Sequence, residues 1–218
     1  MNADTSRYAA AQLTIDYPDR SLERLSTFFR LFWMIPILIV LSLLSGQSMD
    51  SSSTTSGGSS SGASSGLGWS GLVFAPLVLM ILFRQKYPRW WFDWNVELSR
   101  FSTRVAAYLA LMDDRYPSTD EAQSVHLEYR YPDAQKDLNR WLPLVKWLLA
   151  IPHYFVLAFL GLGAVGAVVI AWFAIVTTGR YPRALFDYVQ GVIRWTVRVG
   201  AYAFVLVTDD YPPFSLRP

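Results

Sequence analysis

Residues 179–188 read GRYPRALFDY, and residues 85–94 read QKYPRWWFDW. Each of these decapeptides follows an apolar stretch and precedes a segment in which arginines stand four residues apart. Each half of the chain also opens on a Tyr-Pro-Asp turn, at Tyr17 and at Tyr131, and closes on an Asp-Asp pair shortly before Tyr-Pro. Because the order of these features is the same in both halves, the sequence predicts two tandem repeats.

The composition is typical of a membrane protein. Of the 218 residues, 52% are hydrophobic, 16% are aromatic and only 17% are charged. A soluble domain carries about 25% charged residues, and aromatic side chains gather at membrane interfaces. The chain has no cysteine, which excludes disulfides and thiolate metal sites, and its net charge of +2 gives no reason to expect nucleic acid as a partner.

Four apolar stretches predict membrane-spanning helices, at residues 27–45, 69–83, 141–160 and 164–178. A spanning helix needs about 20 residues, so the two shorter stretches either span with the help of their flanks or are re-entrant. Glycines after residue 160 predict a tight turn within the second pair, and a Ser/Gly-rich linker joins the first pair. The predicted hairpins are therefore 27–83, with its linker at 46–68, and 141–178.

Basic residues flank both hairpins and are missing from the hairpin tips. The positive-inside rule then predicts a multi-pass membrane protein with both termini in the cytoplasm. The predicted fold is mainly α-helical, with four transmembrane helices in two parallel repeats and an amphipathic interfacial helix after each hairpin. The predicted segments are a flexible tail (1–12), repeat 1 (13–117) with its interfacial helix (90–112), a linker (118–124), and repeat 2 (125–218) with its interfacial helix (184–207).

Two short segments, 13–17 and 125–129, alternate apolar and polar residues. Alternation of period two is the pattern of a strand, so the two segments predict a small cytoplasmic β ribbon. Extended linker is the alternative.

The arginines in and before the interfacial helices are the first candidate site. They are Arg89, Arg100, Arg104, Arg183, Arg194 and Arg198. A guanidinium group can pair with two phosphate oxygens at once, which suits an anionic lipid headgroup. These arginines could instead anchor the helices or pair with acidic residues, and their repetition in both copies favours a fixed geometry such as a salt bridge.

The acidic residues near these arginines are predicted ion-pair partners. They are Asp93, Asp187, Asp113, Asp114, Asp209 and Asp210. The two single aspartates follow Pro88 and Pro182 by five residues and are expected in the first helical turn, where a carboxylate favours the positive end of the helix dipole. The spacings suggest no metal site, no cofactor and no catalytic residue.

His153 is the remaining candidate, because an ionisable side chain near the middle of a membrane is a functional hypothesis by default. A neutral, hydrogen-bonded histidine is the alternative.

Three segments of the second copy carry a family resemblance: the decapeptide at 179–188, the Arg-Trp-x-x-Arg-Val-x-Ala-Tyr helix at 194–202, and the Thr-Asp-Asp-Tyr-Pro-Pro-Phe-Ser-Leu ending at 208–216. Together they resemble a bacterial membrane-protein family known only as a domain of unknown function, over most of residues 13–217. The resemblance implies an integral inner-membrane protein and implies no activity, substrate or cofactor. The first copy departs from the motif at Lys86 and at Trp90-Trp91, so the two copies need not bind a ligand equally.

These observations favour a non-enzymatic accessory or scaffold protein that organises lipid or a protein partner at the cytoplasmic face. Its expected partners are anionic lipid headgroups, with a protein partner or a second copy of the chain as alternatives. A transporter of a lipid or small amphiphile would instead need a polar cleft reaching His153. An enzyme acting on a phosphorylated lipid would need the arginines and the Asp-Asp pairs in one pocket.

Overall fold

The computed structural model describes residues 10–18, 30, 87–118, 123–132, 138–139 and 141–217. The helices and strands of these residues are β1 (Ala11–Ile15), α1 (Arg89–Leu109), β2 (Val125–Tyr129), α2 (Pro143–Leu149), α3 (Ile151–Thr178), α4 (Arg183–Gly200) and a π-helical segment (Ala201–Val205). Apart from Arg30, the first predicted hairpin and its linker lie outside the described residues.

Strands β1 and β2 pair antiparallel and form the ribbon that alternation predicted, so extended linker is the wrong alternative. Leu13 and Leu127 face each other across the ribbon and are buried, while the polar residues between the apolar ones are exposed. The first strand begins at Ala11, inside the segment assigned to the flexible tail. It ends before Tyr17, which leaves the ladder because its hydroxyl donates to the backbone oxygen of Tyr181 at 2.5 Å.

Helices α1 and α4 occupy the two segments that were predicted to form amphipathic helices. Each begins directly after a proline with extended backbone, Pro88 or Pro182, since proline disfavours helical conformation in the residue before it and fits the start of a helix. Helix α4 continues into the π-helical segment, and α1 does not. After each of these helical segments the backbone turns at a leucine with positive φ, Leu111 at 62° and Leu206 at 59°.

The prediction of four transmembrane helices is wrong. Residues 143–149 form α2, and the remainder of the predicted second hairpin is α3, one helix of 28 residues. Among the residues that the structure describes, α3 is the one helix long and apolar enough to cross a membrane. Without the hairpin, a multi-pass topology with both termini on one side loses its basis.

The glycines that predicted a turn are accommodated inside α3. A side chain built at Gly161 or Gly166 would meet nothing within 4 Å, so neither position requires a bend. Gly163 has a packing role instead, since a Cβ atom there would lie 2.5 Å from the hydroxyl oxygen of Tyr188 on α4. Glycine weakens a helix by about 1 kcal/mol relative to alanine, and packing along α4 offsets this cost.

Helix α4 runs antiparallel to α3 along most of its length. Phe186 and Val189 share a buried cluster with Ala171 and Ile175 in the second half of α3. Trp195 lies against His153 in the first turn of α3. Small residues such as Ala167 and Ala171 line the buried stripe of α3, which allows the two helices to approach closely.

Outside this stripe, α3 exposes large apolar side chains along its whole length. They are Ile151, Tyr154, Phe155, Val156, Phe159, Leu162, Val165, Val169, Ile170 and Phe173. Helix α3 contains no charged residue, and Phe159 is 74% exposed. An exposed apolar surface that runs along a whole helix marks an interaction site for a membrane or another protein.

Candidate functional site

The carbonyl groups at the centre of the ribbon point outward to its two edges. The Asp16 amide donates to the Ser124 oxygen at 3.0 Å, which makes that facing pair hydrogen-bonded. In an antiparallel ladder such pairs alternate with non-bonded pairs, so Leu13 and Leu127 form a non-bonded pair. Their carbonyl oxygens therefore need partners from outside the ribbon.

Two candidate arginines supply these partners, and we call Arg100 and Arg194 the edge arginines. The Nε atom of Arg194 on α4 donates to the Leu13 oxygen at 3.0 Å. The Nε atom of Arg100 on α1 donates to the Leu127 oxygen, also at 3.0 Å. Each helix thus covers one edge of the ribbon with a charge-assisted hydrogen bond, which closes the edge to further strand pairing.

The environments of the edge arginines differ. The side chain of Arg194 is 9% exposed, and its Nη1 atom also donates to the Leu216 oxygen at 3.3 Å. Burial lowers the pKa of Arg194, and the negative charge of Asp187 opposes this shift. The side chain of Arg100 is 36% exposed and forms an ion pair with Glu97 one helical turn earlier.

The next arginine on each helix holds the segment that follows the helix. The Nη1 atom of Arg104 donates to the Ser118 oxygen at 2.6 Å. The Nη1 atom of Arg198, whose side chain is 5% exposed, donates to the Arg217 oxygen at 3.0 Å. The second of these contacts fixes the C-terminal segment against α4, and Leu216 fills the space above Gly191, where a Cβ atom would be 2.9 Å away.

The remaining candidate arginines, Arg89 and Arg183, are exposed at the helix starts. The guanidinium carbon of Arg183 lies 4.8 Å from the ring centre of Tyr17, and that of Arg89 lies 5.5 Å from the ring centre of Tyr131. The Tyr131 hydroxyl donates to the Tyr87 oxygen at 2.6 Å, as the Tyr17 hydroxyl does to Tyr181. The tyrosine of each Tyr-Pro-Asp turn therefore packs on the helix start of the other half. Of the six candidate arginines, these two leave their charged groups most open to a ligand.

One aspartate of each Asp-Asp pair binds a cation that lies within one of the apolar stretches. Asp114 pairs with Arg30, and Asp209 pairs with Lys146 at 2.6 Å. Lys146 is fully buried, and its Nζ atom also donates to the Thr208 oxygen at 2.7 Å. Burial lowers the pKa of Lys146, whereas the hydrogen bond and charge of Asp209 act in the opposite direction.

The other acidic candidates lie away from these pairs. Asp113 accepts a hydrogen bond from the Ser124 hydroxyl at 2.6 Å, and Asp210 is exposed. Asp93 and Asp187 are the fifth residues of their helices and are exposed, so neither lies in the first turn as predicted. The reason is that each helix begins directly after its proline, earlier than the prediction assumed.

His153 is fully buried in an aromatic cage. Its ring stacks on Phe214 at 4.1 Å between centres, and Tyr211 and Trp195 complete the cage at 4.7 and 5.8 Å. Neither ring nitrogen has a hydrogen-bond partner among the described residues. The C-terminal segment, which Arg198 contacts at Arg217, provides two of the three cage residues.

The spacing of matching residues differs by one position between the two halves, and the sequence prediction did not include this difference. Tyr202 follows its counterpart Tyr108 by 94 positions, whereas Leu206 follows Leu111 by 95. The π-helical segment, Ala201–Val205, lies where this difference in spacing arises. The sequence shows this difference, because the stretch from Arg198 to Tyr211 is one residue longer than the stretch from Arg104 to Tyr116. With this difference counted, Asp209 corresponds to Asp114, and both bind cations.

Within the described part of the chain, no group of three His, Asp or Glu side chains lies together in a way that could hold a metal ion. The edge arginines bind the ribbon, while Asp114 and Asp209 bind Arg30 and Lys146.

Residues 141–215 match a family model described as Domain of unknown function (DUF4389). The match covers α2, α3, α4 and the segment that follows, and therefore includes the decapeptide and arginines on which the resemblance was based. No curated protein and no solved structure matches the chain. The function of the matched family is unknown, so the surface and the contacts of the chain carry the functional argument.

Proposed function

We propose that the protein is a non-enzymatic membrane component, an accessory or scaffold subunit that organises lipid or a protein partner at the cytoplasmic face of a bacterial inner membrane. The observation that supports this most is helix α3, which has 28 residues without a charge and exposes apolar side chains along its whole length. In water such a surface would favour aggregation, whereas a lipid or protein partner would cover it.

The way in which the arginines are used also supports a structural protein. Arg194 and Arg198 are buried and donate to backbone oxygens, and Arg100 and Arg104 make corresponding contacts in the first half. Their charges hold the ribbon and the segments after the helices. Only Arg89 and Arg183 remain as exposed candidates for an anionic headgroup.

Two tandem repeats are part of this proposal. The contacts of the first half recur in the second: an edge arginine on a central ribbon carbonyl, a tyrosine hydroxyl on the helix start of the other half, and a cation on one aspartate. Because each half completes the other, the repeats would work as one unit.

No observation favours either alternative. A transporter needs a polar route to His153, and the imidazole ring lies among aromatic side chains with no exposed surface. An enzyme needs acids and bases that converge, and the ion pairs here lie apart from the edge arginines.

The test is affinity purification of the full chain from native membranes in a mild detergent, with mass spectrometry of the proteins and lipids in the eluate. The Arg183→Glu variant, which reverses one exposed charge, is the matched control for headgroup binding. A stoichiometric protein partner, or anionic lipid that is lost in this variant, supports the proposal. Recovery of the protein from the soluble fraction without partner or lipid would overturn it.

A further inference from the structure

Helix α4 separates α3 from the β ribbon. On one side of α4, Tyr188 donates to the Leu160 oxygen of α3 at 3.0 Å. On the other, Arg194 and Gln190 donate to oxygens of β1 at Leu13 and Ile15, at 3.0 and 3.3 Å. The order of these layers is therefore α3, α4, ribbon.

The ribbon lies level with the middle of α3 and not with one end. The two residues of α4 that bind β1 lie between Val189, which packs with Ala167 and Ala171, and Trp195, which packs on His153. These contacts cover α3 from its first turn to its last third. The ribbon therefore extends beside the central turns of α3.

The outward face of the ribbon is polar and open. It consists of Gln12, Thr14, Asp16, His126 and Glu128, all exposed. Asp16 and His126 lie 3.1 Å apart, with more than half of each side chain accessible. This face belongs in water.

A membrane-crossing orientation of α3 conflicts with this arrangement. The hydrocarbon core is about 30 Å thick, and α3 is about 42 Å long at 1.5 Å per residue. If α3 crossed the core, its central turns would lie at mid-membrane, and the charged face of the ribbon would lie beside them in hydrocarbon. Charged side chains at that depth are costly and are found facing protein or a water-filled cavity.

We propose that α3 lies in the plane of a phospholipid bilayer, with its apolar face among the upper acyl chains and the ribbon facing the aqueous phase. This inference rests on the proposed membrane function and deepens it, because it names the bilayer interface as the partner of α3. An interfacial helix needs a polar side, and here α4 and the ribbon supply it, since α3 has none of its own.

Helix α2, which precedes α3, also exposes apolar side chains. Leu144, Leu148 and Leu149 are exposed, and so are Trp141 and Trp147. Tryptophan is enriched at the level of the lipid headgroups, where its ring is in an apolar environment and its N–H group can reach water. At the other end of α3, Arg180 and Arg183 are exposed and suited to anionic headgroups.

The absence of cysteine from the chain permits a direct test with single-cysteine variants of the full protein. Phe155→Cys, Leu162→Cys and Phe173→Cys sample the start, middle and end of the exposed face of α3, and none is a core position. Each is labelled with bimane and bound to phosphatidylethanolamine/phosphatidylglycerol vesicles carrying a spin label at acyl carbon 5 or 12. Asp16→Cys on the ribbon is the matched aqueous control.

An in-plane helix gives three labels at similar, shallow depth, about 5–10 Å below the headgroups, each quenched more by the carbon-5 label. A crossing helix gives a deep label at residue 162 and shallower labels at its ends. Sidedness is a second readout: a membrane-impermeant maleimide added to inverted membrane vesicles should modify Trp141→Cys and Thr178→Cys from the same side in the in-plane arrangement.

A deep central label, or modification of residues 141 and 178 from opposite sides, would overturn the in-plane inference and leave the proposed membrane function standing. Failure of every variant to bind vesicles, together with absence of the protein from native membranes, would overturn both. Shallow labels with modification from one side support the inference.

Discussion

Replacing Arg194 by methionine should destabilise the protein much more than replacing Arg100 by methionine, although the two residues make the same contact with the ribbon. Methionine retains most of the aliphatic packing and removes the charged donor. Arg194 is buried and donates to the oxygens of Leu13 and Leu216, and both acceptors lose their partner in the variant.

A hydrogen bond to a charged group contributes about 1.5–3 kcal/mol, so the loss of two such bonds, one of them long, should lower the free energy of unfolding by about 3–4 kcal/mol. The side chain of Arg100 is 36% exposed, so water can replace it at the Leu127 oxygen. Its exposed ion pair with Glu97 adds only about 0.3–0.5 kcal/mol. We expect a loss of about 1 kcal/mol for Arg100→Met.

The assay is chemical unfolding of the full chain in a mild detergent, followed by tryptophan fluorescence, with hydrogen exchange of the β1 amides as a local readout. Arg183→Met is the control, because this arginine is exposed and should change the stability by about 0.5 kcal/mol through its contact with Tyr17. Equal losses for Arg194→Met and Arg100→Met would refute the argument that burial makes the edge arginines unequal. Unchanged exchange in β1 would refute the assignment of Arg194 to the ribbon edge.

Three further predictions concern the glycines, the buried tyrosine and the buried lysine. Gly179 ends α3 with φ at 75°, so Gly179→Ala should lower the free energy of unfolding by about 1 kcal/mol. Gly161→Ala should raise it by up to about 1 kcal/mol, because a Cβ atom at this position within the helix meets nothing within 4 Å. Thermal unfolding in detergent measures both changes, and shifts of the same sign would contradict the reasoning. Burial raises the pKa of Tyr181 to about 12, above its ordinary value of 10.0. The contribution of the neutral Tyr181 side chain to stability should therefore be complete below pH 10 and lost as the pH rises to about 12. Titration at 295 nm with Tyr181→Phe as reference tests this, and equal alkaline losses of stability in both proteins would disprove it. Asp209→Asn leaves Lys146 buried without its counter-charge and should lower the free energy of unfolding by about 3–5 kcal/mol. Adding Lys146→Met to this variant should recover most of that loss. No recovery in a double-mutant cycle would show that the two side chains are not coupled.

Several features of the fold could be predicted from the sequence because they depend on local pattern. Alternation gave the ribbon, and the spacing of apolar residues after Pro88 and Pro182 gave α1 and α4 within a few residues of their observed starts. The low content of charged residues and the high content of aromatic residues predicted a membrane protein, and α3 is one helix long and apolar enough to cross a membrane. Each of these properties is set by neighbouring residues along the chain, so a sequence pattern is sufficient to reveal it.

The candidate site was predicted as a set of residues, and their partners were not. Four of the six arginines donate to backbone oxygens, a kind of partner that the sequence did not indicate. A carbonyl group has no signature in a sequence, because every residue has one. Which carbonyls point outward depends on the register of two strands more than 100 residues apart.

The sequence by itself determined that the chain has a ribbon, two amphipathic helices and a long uncharged apolar segment. Only the tertiary structure decided whether that segment turns, because glycine is compatible with both a turn and a helix, and the packing of Tyr188 over Gly163 favours the helix. The tertiary structure also decided how α3 can meet a membrane. Length and hydropathy describe one helix alone, whereas its orientation depends on the charged ribbon that α4 holds beside it.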